Sequence, residues 1–314
     1  MKDLRIIFMG TPDFAVATLD ALMEANKNIV AVITAPDKPS GRGRKINQSA
    51  VKKYAMEKGL QIMQPTNLKD PEFLNELKEL AADLQIVVAF RMLPKQVWAM
   101  PTYGTFNLHA SLLPDYRGAA PINWAIINGE SKTGVTTFFI NENIDTGAII
   151  KQESLDISAS ASAGELHDLL MELGSKTVVE TVELIEGDTI NPLKQKTGTF
   201  KDAPKLNKEN CRINWSQTAQ TIFNHIRGLN PYPGAWTILE NAVEQIEVKI
   251  YNGVILEESH KHQIGHLIVS KKKILVAVQN GFFEITDLKL AGKRRMDAIS
   301  LLNGYEFHSD SKMF

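Results

Sequence analysis

The run Leu4-Arg5-Ile6-Ile7-Phe8-Met9 is nearly continuous in apolar side chains and is closed by Gly10. So short an apolar run without alternation reads as a strand buried on both faces, as at the centre of a sheet covered by helices. Thr11 is placed to cap a helix, Pro12 suits its first position, and Phe14, Ala17, Leu19 and Leu22 follow at helical spacing. Residues 29–34 supply a second strand. This βαβ opening predicts a Rossmann-like α/β domain with a mostly parallel sheet. The turn Gly10-Thr11-Pro12-Asp13-Phe14 lacks the spaced glycines that let a backbone approach a pyrophosphate, which argues against a dinucleotide-dependent dehydrogenase.

The alternation continues with a helix over 49–58, a strand over 61–63, a helix over 71–81, a strand over 84–89 and a helix near 94–100. Residues 35–48 interrupt it. Two prolines, two glycines and the four cations Lys38, Arg42, Arg44 and Lys45 are expected to build no packed element there. Such a segment is either a solvated surface loop or a basic arm that orders on a polyanion. Residues 162–186 carry the pattern of a long amphipathic helix, with Ser162 and Glu165 in capping-box spacing.

The strand 103–109 is the one with chemical content. Phe106 and Leu108 alternate with Asn107 and His109, so the amide and the imidazole project from the same face. Ser111, Leu112, Leu113 and Pro114 follow where the strand ends, and strands over 134–140 and 148–153 flank a loop that holds Asp145. Each residue has an ordinary alternative. Strand-end asparagines satisfy turns, most histidines are structural, and an aspartate before Thr-Gly can cap a turn. Were the three to converge, an amide and an imidazolium beside a carboxylate would stabilise an oxyanion. No enzyme nucleophile accompanies them, because Ser111 lacks the Gly-x-Ser-x-Gly elbow. Direct acyl transfer to an external amine is the reaction that needs none.

Beyond residue 189 the composition changes. Residues 190–207 read as a linker between a domain over 1–189 and a second over 208–314. The second domain holds a helix over 215–227 and then short strand-like runs broken by Gly and charged turns, which suggests a small barrel or sandwich. From Lys205 onward there are 14 Lys/Arg against 11 Asp/Glu, whereas residues 1–204 carry 21 against 25, a slight basic bias in the second domain. The single cysteine, Cys211, excludes a disulfide framework and any multi-cysteine metal site. Met1-Lys2-Asp3 leads straight into the first strand without a signal segment, and no apolar run reaches membrane-spanning length, so a soluble cytoplasmic protein is expected.

Three motifs resemble the 10-formyltetrahydrofolate-dependent formyltransferases. They are Asn107-Leu-His109-Ala-Ser111-Leu-Leu-Pro114, Tyr116-Arg117-Gly118-Ala-Ala-Pro121 and Asp145-Thr-Gly147. The start Phe8-Met-Gly10-Thr-Pro12-Asp13-Phe14, the basic stretch Pro36 to Lys45 and Arg227-Gly-Leu-Asn230-Pro231-Tyr-Pro233-Gly narrow the likeness to the branch that formylates methionyl initiator tRNA. The resemblance implies Asn107, His109 and Asp145 as the catalytic set. It sets Ser111, Leu112, Leu113 and Pro114 against the pterin and N10 side of 10-formyltetrahydrofolate. It also implies an open barrel of OB type over 208–314 that meets the tRNA. Arg42, Arg44 and Lys45 would then reach the acceptor end. Lys271, Lys272 and Lys273, with Lys293, Arg294 and Arg295, would meet the tRNA backbone. A monomer without a metal is expected. The rival readings are a formyltransferase acting on an amino sugar nucleotide and a non-catalytic RNA-binding module.

Overall fold

The structure, a computed structural model, describes residues 2–40 and 45–314, so Arg42 and Arg44 lie outside the described residues. It divides into two compact units. The first comprises Met1–Gly118, Thr133–Leu155 and Asp168–Asp202; the second comprises Ala119–Lys132, Asp156–His167 and Ala203–Phe314.

The apolar run at the start forms β1 (Ile6–Gly10), fully buried as its composition requires. Helix α1 (Asp13–Glu24) begins one residue later than Thr11 capping would place it. Pro12 occupies the cap position, and its carbonyl accepts from the Ala15 and Val16 amides while no side chain caps the turn. Strand β2 (Ile29–Ile33) follows. Where composition suggested no packed element, β3 (Lys38–Ser40) and β4 (Lys45–Asn47) pair as an antiparallel hairpin, with Lys38 opposite Asn47 and Ser40 opposite Lys45. Composition forbids a core there but not a backbone ladder. The base of the hairpin is anchored at Asp37, which accepts from Lys52 Nζ at 2.6 Å and Gln64 Nε2 at 2.8 Å; Lys52 holds its carboxyl below the usual carboxylate range.

The chain continues through α2 (Ala50–Glu57), capped by Ser49, β5 (Ile62–Met63), α3 (Pro71–Glu79), β6 (Leu84–Val88) and α4 (Lys95–Trp98) to β7 (Thr105–His109). Next come β8 (Arg117–Gly118), α5 (Pro121–Ile127), β9 (Lys132–Phe139), β10 (Ile149–Asp156), α6 (Ala163–Glu186) and β11 (Asp202–Ala203). The capping box forms as spaced: Glu165 accepts from the Ser162 amide at 2.8 Å, and Ser162 Oγ accepts from the Glu165 amide at 3.2 Å. The sheet order is β10-β9-β7-β6-β1-β2-β5. Strands β5, β2, β1, β6 and β7 are parallel, and β9 runs antiparallel to β7. From β1 the chain builds outward to β5 and then returns to build through β6 to β7. The order therefore switches between β1 and β6, and in open α/β sheets ligands bind outside the carboxyl ends of the strands at such a switch.

In the second unit α7 (Ala219–Gly228) begins at its Thr218 cap, later than apolar spacing suggested. Trp215 belongs instead to the barrel core, where its Nε1 donates to Thr237 Oγ1 at 2.9 Å and its ring lies 6.1 Å from that of Phe283. The barrel is built from β12 (Ala235–Asn241), β13 (Glu244–Leu256), β14 (Leu267–Val269), β15 (Ile274–Val278) and β16 (Gly281–Leu290). Strand β17 (Met296–Asp297), helix α8 (Ala298–Leu302) and β18 (Lys312–Met313) complete it. Its order is β14-β15-β16-β13-β12-β18. The two edge strands meet at a bridge between His266 and Lys312, so the barrel is drawn together at a seam and is more closed than expected. Gly265, at φ +84°, makes that seam possible, since a Cβ there would lie 2.2 Å from the Met313 carbonyl. Helix α5 belongs to this unit. Asn123 Nδ2 donates to the Gly228 carbonyl at 2.7 Å, and a side chain at Gly228 would meet Ile127.

His225 on α7 has a buried Nε2 with no hydrogen-bond partner among the described residues, and burial pushes its pKa below the ordinary histidine value. The unfolded chain therefore takes up a proton that the folded chain resists. The stability this site contributes is intact above about pH 6.5 and is lost as pH falls below it. The expected result is a urea midpoint that declines between pH 7 and pH 5 less steeply in His225→Gln than in the wild type. Equal slopes would remove His225 from the acid response.

Candidate active site

Strand β7 is held on both edges. Asn107 sits opposite Val87 of β6 and Phe138 of β9, and His109 sits opposite Thr136. Its apolar side packs under α6, where Gly174 allows an approach so close that a Cβ would lie 2.8 Å from Leu108. That fixes Asn107 and His109 on the other face, as alternation requires. The Asn107 amide is half-buried and, among the described residues, makes no hydrogen bond. His109 is only 7% exposed. Its Nε2 lies 2.8 Å from the Tyr116 carbonyl, and because a carbonyl can only accept, Nε2 carries the proton. Nδ1 faces Asp145 Oδ2 at 3.9 Å, an ion-pair distance when the ring is protonated.

Asp145 reaches this position from a strained loop. Its φ is +53°, and its Oδ2 accepts from the Gly118 amide at 3.0 Å. Two residues on, a Cβ at Gly147 would lie 1.6 Å from the Phe139 carbonyl, so only glycine lets the loop sit so low on the end of β9. The structure thus brings His109 and Asp145 together, with Asn107 beside them on the same strand face. An uncommitted amide donor next to a chargeable imidazole is suited to hold negative charge that develops on a carbonyl oxygen.

The segment Ser111 to Pro114 leaves β7 at its carboxyl end. Ser111 is fully buried and its Oγ donates to the Asp115 carbonyl at 2.7 Å; Leu113 is buried as well. Thr136 Oγ1 donates to the Ser111 carbonyl at 2.6 Å and accepts from the Leu113 amide at 3.1 Å. Gln152 Nε2 donates to both Thr136 Oγ1 and the Leu113 carbonyl at 2.9 Å. The side chains of Ser111 and Leu113 therefore shape this loop, while Leu112 and Pro114 are the partly exposed members.

Of the basic residues, Lys45 lies in β4, and Arg42 and Arg44 lie outside the described residues. Lys271, Lys272 and Lys273 form the exposed turn between β14 and β15, closed by Ser270. Lys273 is paired with Glu284 at 2.8 Å, which leaves Lys271 and Lys272 as the turn's uncommitted cations among the described residues. Arg295 donates through two nitrogens to Asp287, which raises its pKa, and lies over the Tyr251 ring at 4.0 Å. Lys293 sits over the Tyr305 ring at 5.3 Å.

Sequence patterns did not single out Arg117 or Gln195 as parts of the site. Arg117 lay in a quoted motif without a role, and Gln195 lay in a stretch of linker composition. No periodicity marks Gln195, because its hydrogen bonds join it to residues distant in sequence.

Two family models match the chain: "Formyl transferase" over residues 4–182 and "Formyl transferase, C-terminal domain" over residues 205–306. A protein of Flavobacterium johnsoniae named methionyl-tRNA formyltransferase is 56% identical over 315 residues, covering the whole of both chains. One of the same name from Bacteroides thetaiotaomicron is 50% identical over 99% of each. Among solved structures, an N-formyltransferase from Helicobacter canadensis, in complex with folinic acid and dTDP-3-aminofucose, has a TM-score of 0.66 at 20% identity. That likeness covers 93% of this chain and all of that one, and it speaks for the fold. With one family model spanning the sheet and its strand-end site, the other spanning the barrel, and relatives aligned from end to end, this chain belongs to the formyl transferase family.

Proposed function

We propose that this enzyme transfers the formyl group of 10-formyltetrahydrofolate to the α-amine of methionyl initiator tRNA. The observation that carries the reading is the end-to-end identity of 56% with a protein of that named activity. The strand-end geometry supports it, because it offers an oxyanion donor and no nucleophile of its own.

The free α-amine of an aminoacyl ester is substantially neutral near pH 7.7–8.0, roughly its pKa, so no strong base is needed. Its nitrogen attacks the formyl carbon, and the carbonyl pair moves to oxygen. The Asn107 amide donates to that oxyanion. His109, with its Nε2 on the Tyr116 carbonyl and its Nδ1 facing Asp145, supplies the second polar group at the strand end. The intermediate then collapses, the bond from carbon to N10 breaks, and the proton lost by the amine is returned to N10, through water or Asp145. The donor's pterin and N10 side would lie along the Ser111 to Pro114 loop, meeting its backbone with Leu112 and Pro114, while Ser111 and Leu113 keep the loop's shape.

The acceptor would be held by Arg42, Arg44 and Lys45 at its end and by Lys271 and Lys272 on the barrel; Lys273 contributes less while Glu284 neutralises it. Replacing Lys271 and Lys272 with Ala is expected to flatten the salt dependence of tRNA binding, reducing the log–log slope by about one for each phosphate no longer neutralised. An unchanged slope would leave them as ordinary solvated turn charges. No helix among the described residues is long and apolar enough to cross a membrane. We take the protein to act as a cytoplasmic monomer, with a folate donor, tRNA and no metal. The decisive assay presents 10-formyltetrahydrofolate with initiator and elongator methionyl-tRNA side by side. No formyl-methionine above the enzyme-free level would refute the reading, and formylation of a dTDP-amino sugar instead would redirect it to the sugar branch.

A further inference from the structure

We propose that Gln195 is a positioning residue for formyl transfer, holding Asp145 in place through the carbonyls of its loop and tying that loop to Arg117. Gln195 is 7% exposed. Its Nε2 donates to the Asp145 and Gly147 carbonyls, both at 2.9 Å. Its Oε1 accepts from Arg117 Nε at 3.2 Å and from Arg117 Nη2 at 2.5 Å. Both donors and both lone pairs of the amide are therefore used, and the amide can face only one way, because carbonyls accept and a guanidinium donates.

The residues that hold Gln195 explain why these bonds reach the site. Leu193 and Ile149 exchange both backbone hydrogen bonds at 2.8 Å, which lays the segment along the start of β10. Further on, the Lys201 carbonyl accepts from the Tyr116 amide at 2.5 Å, and the Lys201 amide donates to Asp115 Oδ1 at 3.0 Å. Among the described residues, the groups that meet the His109 ring nitrogens are the Tyr116 carbonyl and the Asp145 carboxylate. Both are carried by loops that this one strap, residues 193–201, stitches down.

At Asp145 the support is direct. Its backbone is in the left-handed region, which an aspartate tolerates but does not prefer, and Gln195 bonds to the carbonyl of that very residue. Gly147 is pressed onto the end of β9, and Gln195 bonds its carbonyl too. Without the amide the loop keeps the Gly118 amide on Asp145, the Phe139 amide on the Ala148 carbonyl and Thr146 on Asn141, but loses both bonds on the carbonyls of Asp145 and Gly147. A shift of about 1 Å in Asp145 would change its distance to His109 Nδ1 and so the ring's orientation, a displacement that commonly lowers turnover by about 10- to 100-fold.

The proposal rests on the reading of His109 and Asp145 as the reacting pair, and the test separates the two. Formyl transfer is measured for the wild type, Gln195→Leu, Asp145→Ala and the double variant. Gln195→Leu is expected to lower kcat by about 10- to 100-fold with both KM values within about 2-fold of wild type. In the Asp145→Ala background the same change should cost less than about 2-fold, since the group it positions is already gone. Equal losses in both backgrounds, or an unchanged kcat, would overturn the role. Gln195→Glu keeps the length and the Arg117 pairing but sets an oxygen against two carbonyl oxygens. It should lose as much as the Leu variant, and it carries the cycle if Gln195→Leu does not fold; a wild-type rate in Gln195→Glu would also overturn the role. The ring nitrogen resonances of His109 give a readout independent of turnover. They should move in Gln195→Leu in the same direction as in Asp145→Ala, and unmoved resonances would overturn the proposal even in a chain inactive on every acceptor. Inactivity of the wild type would instead count against the proposed reaction.

Discussion

Asn107→Ala is expected to lower kcat by roughly 10²–10³ while leaving both KM values close to wild type, because it removes a donor that acts on the oxyanion and not on the ground-state substrates. The structure makes this residue the sharper target of the strand pair. Its amide has no protein partner among the described residues, so its hydrogen-bonding capacity is free for a ligand. The His109 nitrogens both face protein groups, Tyr116 and Asp145. Loss of Asn107 should therefore leave folding and the His109 environment untouched, which circular dichroism and the histidine ring resonances can check. A wild-type kcat in Asn107→Ala would take the oxyanion role away from this strand.

Gly147→Ala is expected to abolish most turnover, by roughly 10²-fold or more, without unfolding the sheet. A methyl carbon 1.6 Å from the Phe139 carbonyl cannot be accommodated by rotating a side chain, because the obstacle is backbone. The loop must rise, and Asp145 rises with it, away from both the Gly118 amide and His109 Nδ1. Strand β9 is paired with β7 from Thr136 to Phe139 and has no reason to yield. Purified Gly147→Ala with native thermal stability and native activity would show that the loop can be re-seated without harm, and that its height over β9 does not govern turnover.

The α/β character of the first domain was legible because β1 is apolar throughout and β7 alternates, patterns that local burial writes directly into sequence. The α6 capping box was legible for the same reason, since its four residues act within one turn. The hairpin of β3 and β4 was not, because it is held by backbone pairing and by the Asp37 anchor to Lys52 and Gln64, none of which leaves a hydrophobic signature. Trp215 was read into a helix from its spacing, whereas its indole satisfies Thr237 inside the barrel. In the site, Asn107 and His109 could be paired by strand geometry alone. The approach of Asp145 to 3.9 Å depended on Gly147 and on Gln195, and long-range stitching of that sort has no period to detect.

The strap carries a consequence for the order in which this protein matures. Arg117 and Gln195 are 78 residues apart, and Asp115 and Lys201 are 86 apart, so each pairing closes a long loop. Closures of that length are already made within the sheet, where Ile6 pairs with Leu84, so what sets the strap apart is its late place in the chain. A chain emerging from synthesis has all five parallel strands once His109 is made, and α6 to cover them, before Gln195 arrives. Competence for catalysis is thus acquired after the fold around it, and a local opening that frees the strap would silence the enzyme while the sheet beneath it stays intact.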